Sequence, residues 1–248
     1  MVQDTDDSVI VGVHSVYEAL ASADRPVQRL HVSRGSMPEK IRQIVDMANA
    51  RGIPIRREGR EALDRAAQGI PHQGVVAVVG ARSYVPFERI LESETPLIVV
   101  LDGVQDPQNL GAIIRTAETA GASGLVVTER RSVGLTAVVS RVSAGALEYV
   151  PIAKVSNLVT AINKMKAKGI WVVAVDPDAP ELWTEFDYTV PVALVLGGEH
   201  RGVRRLVREN CDAGVRLPMQ GKIDSLNVSV TAGVVLFEVV RQRGARRS

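Results

Sequence analysis

The sequence predicts an α/β protein with two domains: a small N-terminal one over residues 1–80, a linker over 81–96, and a larger one over 97–248 built on a mostly parallel sheet. Three observations carry that prediction. Short β-type runs alternate with helical ones through the first 80 residues. Beyond Pro96 the strand-like runs are apolar throughout, as in parallel strands covered on both faces. Between them lie segments with helical spacing of apolar residues.

In the first domain "SVIVGV" and "RLHVS" read as strands, with "HSVYEALASA" a helix between them. "MPEKIRQIVDMANARG" sets Ile41, Ile44, Val45 and Ala48 on one helical face and stops at Gly52. "IPIRR", "REALDRAAQ" and "QGVVAVVGA" add a strand, a helix and a strand. Residues 82–96, "RSYVPFERILESETP", are more polar and carry two prolines, as a linker with a short helix would. In the second domain "LIVVLD", "GLVVT", "WVVAVD" and "VALVLGG" are the strands. "QNLGAIIRTAETAG", "TAVVSRVSAGA", "NLVTAINKMKAKG" and "GVRRLVREN" are the helices between them. The last helix begins near "DSLNVSV" and is almost wholly apolar, which requires burial in a core or against another subunit. Asp224 or Ser225 is its expected N-cap, or else the polar mouth of the helix presents groups to a ligand.

Composition narrows the class. The 248 residues carry a net charge of +2, so partners cannot be read from overall charge. Arginines nevertheless cluster at 51–60, at 201–208 and in the terminal "RQRGARRS", where they can hold phosphate or form solvated faces. Cys211 is the only cysteine, which excludes an internal disulfide, and the four histidines show no metal-ligand spacing; no metal is expected. No apolar run is long enough for a membrane helix, and the acidic start "MVQDTDDSVI" argues against a signal peptide. A cytoplasmic protein is expected. Neither G-x-G-x-x-G after a first strand nor G-x-x-x-x-G-K-[ST] occurs, which disfavours a dehydrogenase or P-loop ATPase.

Three segments, each following an apolar strand, look chemical. Ligands in open α/β sheets sit beyond the carboxyl ends of strands. "DGVQDPQNLGAIIRTAETAG" offers Asn109, able to cap its helix, and Arg115, which a plain reading pairs with Glu118. "LVLGGEHRG" ends a strand in Gly197 and Gly198 with Glu199 next. "VRLPMQGKIDSLNVSV" brings Ser225 and Asn227.

In this order the three segments resemble the motifs of the SPOUT class of RNA methyltransferases, in the TrmH (SpoU) family of ribose 2′-O-methyltransferases. The first 80 residues, opening on "GVHSVYEAL", resemble the RNA-binding substrate domain found on ribosomal-RNA members. The resemblance implies a C-terminal trefoil knot, a homodimer, and S-adenosyl-L-methionine bound within the knot at Gly197, Leu217 and Leu226. It further implies that Asn109, Arg115, Glu199, Ser225 and Asn227 gather around the ribose hydroxyl, with Arg115 either the base or a clamp on the neighbouring phosphate. The implied substrate is a guanosine of large-subunit ribosomal RNA, with transfer RNA the runner-up. A non-catalytic RNA-binding assembly factor is the reading from another class, disfavoured because a binder needs none of those five residues.

Overall fold

Alternating apolar runs and helices set the order of elements. β1 (Ser8–Val11), α1 (Val13–Ser22), β2 (Val27–Ser33), α2 (Glu39–Ala50), β3 (Ile55–Glu58), α3 (Arg60–Ala66) and β4 (Val75–Val79) come first. Next are α4 (Phe87–Ile90), β5 (Leu97–Asp102), α5 (Pro107–Thr119), β6 (Gly124–Thr128), α6 (Ala137–Val142) and a 3-10 turn at Ala146–Glu148. The chain continues with β7 (Ile152–Val155), α7 (Leu158–Ala167), β8 (Trp171–Val175), β9 (Glu181–Leu182) and β10 (Val192–Gly197). α8 (Arg205–Asn210), β11 (Ala213–Arg216) and α9 (Val228–Ala245) complete it. This computed structural model describes residues 8–22, 25–198 and 202–245. By its internal contacts the chain divides into one unit of Met1–Ser83 with Gly134–Tyr149, and a second of Tyr84–Val133 with Val150–Ser248.

The first unit is built on a four-stranded sheet, order β1-β4-β2-β3, with β4 antiparallel to both neighbours and β2 parallel to β3. β4 shows why "VVAVV" must lie inside. Alternate side chains point to opposite faces of a strand. Val75, Ala77 and Val79 accordingly join a cluster with Leu20, Leu30 and Ile44, while Val76 and Val78 join another with Leu63 and Ala67. Each such valine or leucine contributes about 1.5–3 kcal/mol when fully buried. α2 buries Ile41, Ile44, Val45 and Ala48, the face the spacing predicts.

The segment "TAVVSRVSAGA" departs from expectation. Read from sequence as a helix between strands of the second sheet, it packs in the first unit, with Ala137 against the Val9–Leu63 cluster and the Ser15 hydroxyl donating to the Ser140 carbonyl at 3.1 Å. Periodicity says which residues of a helix are buried but not which sheet buries them. An ion pair fixes the same segment: the buried Arg25 guanidinium reaches Glu148 at 3.3 Å and donates to Ser8 Oγ at 3.0 Å. Burial lowers the Arg25 pKa, and the Glu148 charge works against that. Removing one partner of such a pair leaves an uncompensated charge, at a cost of roughly 3–5 kcal/mol.

The second unit carries a seven-stranded sheet, order β7-β6-β5-β10-β8-β11-β9, in which every neighbouring pair is parallel. Four of these strands are the predicted apolar runs. β7, β9 and β11 are short and each carries a charged residue, and patterning passes over them. α4 sends Phe87 and Ile90 into the core beneath the sheet, with Ile98, Val100, Ile162 and Val195. α9 is apolar on two sides for two reasons. Val228, Ala232, Val235, Leu236 and Val239 face the core, at helical spacing. Val230, Val234, Phe237 and Val240 form a second stripe that is exposed. Arg243 fastens the end of α9, donating to the carbonyls of Thr95, Pro96, Tyr188 and Val190 at 2.9–3.1 Å.

Candidate functional site

The site is built where β5 and β10 end side by side. Gly197 is in register with Asp102, and Gly198 N donates to the Asp102 carbonyl at 3.0 Å. The chain then returns over this point. A Cβ placed on Gly197 would lie 1.9 Å from Gly202 C, and one on Gly198 would lie 2.3 Å from Gly103 O. Two residues without side chains are therefore needed for three stretches of backbone to touch. The Asp102 carboxylate holds the returning chain, accepting from Arg204 N at 2.9 Å and Arg204 Nε at 2.7 Å.

Beside this crossing lies a cleft of about 300 Å³. Gly197, Gly198 and Gly202 form one wall, and Leu217, Met219 and Leu226 supply apolar surface. Its polar lining includes Asp176, Asp224, Ser225 and Thr231. Asp176 is only 5% exposed, and its carboxylate accepts from Arg208 at 3.1 Å and from Asp178 N at 2.9 Å. The three residues expected to hold a cofactor, Gly197, Leu217 and Leu226, all line this cleft.

The expected catalytic residues are distributed as follows. Asn227 Nδ2 donates to Asn109 Oδ1 at 3.0 Å, tying the start of α9 to the first turn of α5. Asn227 is also the cap of α9, its Oδ1 accepting from Ser229 N at 2.8 Å and Ser229 Oγ at 2.6 Å. This corrects the reading of Asp224 or Ser225 as cap; both lie before it, exposed and lining the cleft. Asn109 does not cap α5 either. Asp106 does, accepting from Gln108 N at 3.0 Å with Pro107 at the first helical position. An Asp-Pro pair at a helix start carried that signal. Arg115 is exposed on α5, six residues after Asn109, which sets the two about 120° apart around the helix axis. Among the described residues no carboxylate lies within 4.0 Å of its guanidinium, so the pair with Glu118 that the plain reading offered is not formed. Glu199 lies outside the described residues.

Sequence reasoning missed Asp102, Arg204 and Asp176. The signal was present, since "LIVVLD" and "WVVAVD" each end an apolar strand in an acid. The basic cluster at 201–208 is largely spent within the chain: Arg204 on Asp102, Arg205 on Glu209 and Arg208 on Asp176. Burial, and then the neighbouring Asp212 charge, push the Cys211 thiol up to about 12. Among the described residues no group of His, Cys, Asp and Glu could hold a metal ion, and no helix is long and apolar enough to cross a membrane.

The SpoU rRNA methylase family model matches residues 96–237, and a model for RNA 2′-O ribose methyltransferase substrate binding matches residues 9–85. YacO of Bacillus subtilis, a TrmH-family protein, is 41% identical over 239 residues, 94% of this chain and 95% of YacO. The 23S rRNA (guanosine-2′-O-)-methyltransferase RlmB of Pseudomonas putida is 41% identical over 243 residues, 96% of this chain and 98% of RlmB. The crystal structure of the SpoU methyltransferase AviRb from Streptomyces viridochromogenes, in complex with the cofactor AdoMet, superposes with a TM-score of 0.83 at 28% identity. It covers 96% of this chain and 91% of AviRb.

Proposed function

The chain belongs to the SpoU rRNA methylase family, and from that premise we propose that it transfers a methyl group from S-adenosyl-L-methionine to the ribose 2′-hydroxyl of a guanosine in 23S ribosomal RNA. The observation that carries the proposal is the cleft beside the β5–β10 crossing, lined by Gly197, Leu217 and Leu226, the positions that the sequence resemblance assigns to the cofactor. Its composition suits an adenosyl sulfonium. Leu217, Met219 and Leu226 offer apolar surface to a purine, the glycine wall exposes backbone groups, and Asp176 and Asp224 supply negative charge to a cation. We assign cofactor contact to Gly197, Leu217 and Leu226.

When bound, S-adenosyl-L-methionine supplies an activated methyl group for in-line displacement. The protein's part is to orient the hydroxyl and handle its proton. Asn109 and Asn227, joined by their hydrogen bond, hold the starts of α5 and α9 together beside the cleft, where Ser225 presents a hydroxyl. Arg115, free of any carboxylate among the described residues, is assigned the phosphate next to the reacting ribose and the charge that develops on its oxygen. A guanidinium is a poor base, and a bidentate clamp asks only for its two parallel N–H groups. Glu199 is assigned to the same group from its place after Gly198 in the motif.

The proposal extends to three further features. The exposed stripe of Val230, Val234, Phe237 and Val240 supports a homodimer through α9. The chain returning over Gly197, followed by the Leu217–Leu226 segment at the cleft, supports a trefoil knot. The match of residues 9–85 supports RNA recognition by the first unit, and a ribosomal-RNA substrate is the ground for assigning the protein to the cytoplasm.

Calorimetry with S-adenosylhomocysteine in the presence of chelator, and transfer of labelled methyl groups to unmodified 23S ribosomal RNA, test the reading. Binding without metal and one labelled guanosine ribose are expected. A folded protein that binds neither S-adenosylhomocysteine nor S-adenosylmethionine would overturn it.

A further inference from the structure

Among the described arginines of the three clusters in the sequence, only those of the first are without an acid or carbonyl partner for the side chain. Arg243 of the terminal cluster is taken by backbone carbonyls, and Arg204, Arg205 and Arg208 are taken by acids. Arg51, Arg56, Arg57 and Arg60, and the nearby Arg34, have no carboxylate within 4.0 Å among the described residues. Arg34 and Arg60 stand at a cleft of about 490 Å³ within the first unit, between the ends of β2 and β3, α3 and the turn before β4.

Acids are present in this cleft, yet they face histidines. Glu58 lies 3.1 Å from His31, and Asp64 lies 3.1 Å from His72 Nε2. His72 Nδ1 accepts from Gly74 N at 2.9 Å, which fixes the ring so that Nε2 carries the proton donated to Asp64. Asp64 remains more than half exposed, with lone pairs left to accept further hydrogen bonds. Leu63 gives the cleft an apolar side. Its rim is set in advance: Gln73 adopts a left-handed backbone at φ 52° and its side-chain oxygen accepts from Val13 N at 3.1 Å.

We propose that this cleft holds one unpaired nucleotide of the RNA substrate, its phosphate clamped by Arg34 and Arg60 and its base edge read by the His72–Asp64 pair. The chemistry favours a nucleotide over a bare anion, because a carboxylate inside the cleft repels anions but accepts from the N–H groups of a base. It favours an unpaired nucleotide over a duplex, because the volume admits one base and RNA bases are read where they are splayed out of the helix. The inference rests on the RNA methyltransferase reading and locates within it where the first unit grips.

The test uses the full chain, fluorescence anisotropy, and two labelled RNAs: a hairpin with a mixed-sequence unpaired loop, and a blunt duplex of the same length. The Arg34→Ala/Arg60→Ala variant changes only exposed side chains and leaves the core intact. Expected are tighter binding of the hairpin than the duplex by wild type, and about a tenfold or greater loss for the variant on the hairpin alone. The slope of log affinity against log salt should become shallower by roughly 0.7 for each phosphate released. Asp64→Asn should weaken the hairpin without changing that slope. Hairpin binding by the double variant within about twofold of wild type, or an equal loss on the duplex, overturns the proposal. S-adenosylhomocysteine affinity is measured in parallel: its absence in wild type would overturn the methyltransferase reading, and its persistence beside unchanged RNA binding would overturn only the cleft.

Discussion

Gly197→Ala is a one-atom perturbation with a large expected effect. The added Cβ would meet Gly202 C at 1.9 Å, Val203 N at 2.2 Å and Gly202 O at 2.3 Å. All three are backbone atoms, so no side chain can swing aside, and the returning chain must move by about an ångström to reach even a tight contact. That chain is anchored twice, by Gly202 N on the Gly198 carbonyl and by Arg204 on the Asp102 carboxylate. Overpacking of this kind costs about 1–3 kcal/mol. Because the displaced segment walls the cleft, most of that cost should appear as lost cofactor affinity, between about fivefold and a hundredfold at 1.4 kcal/mol per decade. Isothermal calorimetry with S-adenosylhomocysteine reads it directly. Gly244→Ala is the control, since nothing lies within 4 Å of its Cβ position, and it should be neutral or slightly stabilising. Wild-type affinity and melting temperature in Gly197→Ala would refute the reasoning, because the chain could not then cross at that glycine.

Three further outcomes are expected. Arg115→Ala should slow single-turnover methyl transfer by roughly 10²- to 10⁴-fold with cofactor affinity and stability unchanged, and Arg115→Lys should recover little, lacking the planar fork; a rate within about twofold of wild type would leave Arg115 without a catalytic role. Asn227→Asp keeps the acceptor that caps α9 but loses the donor to Asn109, whereas Asn227→Ala loses both. Thermal unfolding should therefore show Ala less stable than Asp by about 1 kcal/mol, and both should lower turnover; equal stabilities would deny the cap. Cys211, with its thiol at about 12, should be alkylated by iodoacetamide far more slowly in native than in urea-unfolded protein, and the native rate should rise about tenfold per pH unit above pH 8 because only the thiolate reacts. Equal native and unfolded rates, followed by mass spectrometry, would contradict the burial that raises it.

Much of this architecture was legible because burial leaves a period in the sequence. The four apolar strands of the second sheet and the Ile41–Ala48 face of α2 follow from composition and spacing alone. β11, "AGVR", escapes because it is half-buried and brief, so neither alternation nor an apolar run marks it. The caps were misplaced for a different reason: "DSLN" and "DPQN" each hold several residues able to cap, and only the path of the backbone chooses Asn227 and Asp106. The motif residues could be named from their order in the chain. That Asn109 and Asn227 bond to one another across 118 positions, and that Asp102 holds Arg204, are tertiary facts with no local pattern.

The return of residues 134–149 to the first unit also bears on the order in which this protein can be made. When residue 83 leaves the ribosome the four strands of the first sheet are present, β1 paired with β4 among them, but the helix that packs on β1 and the carboxylate that meets Arg25 are not. Ala137 and Glu148 lie in a part of the chain still to be translated. At about 5–20 residues per second, they emerge several seconds later. By then β5 and β6, which belong to the second unit, are already outside. For that interval the arginine that will be buried has no counter-charge, and an apolar patch of the sheet stays wet. Synthesis therefore interleaves the two units, and neither is finished as a separate product before the other has begun.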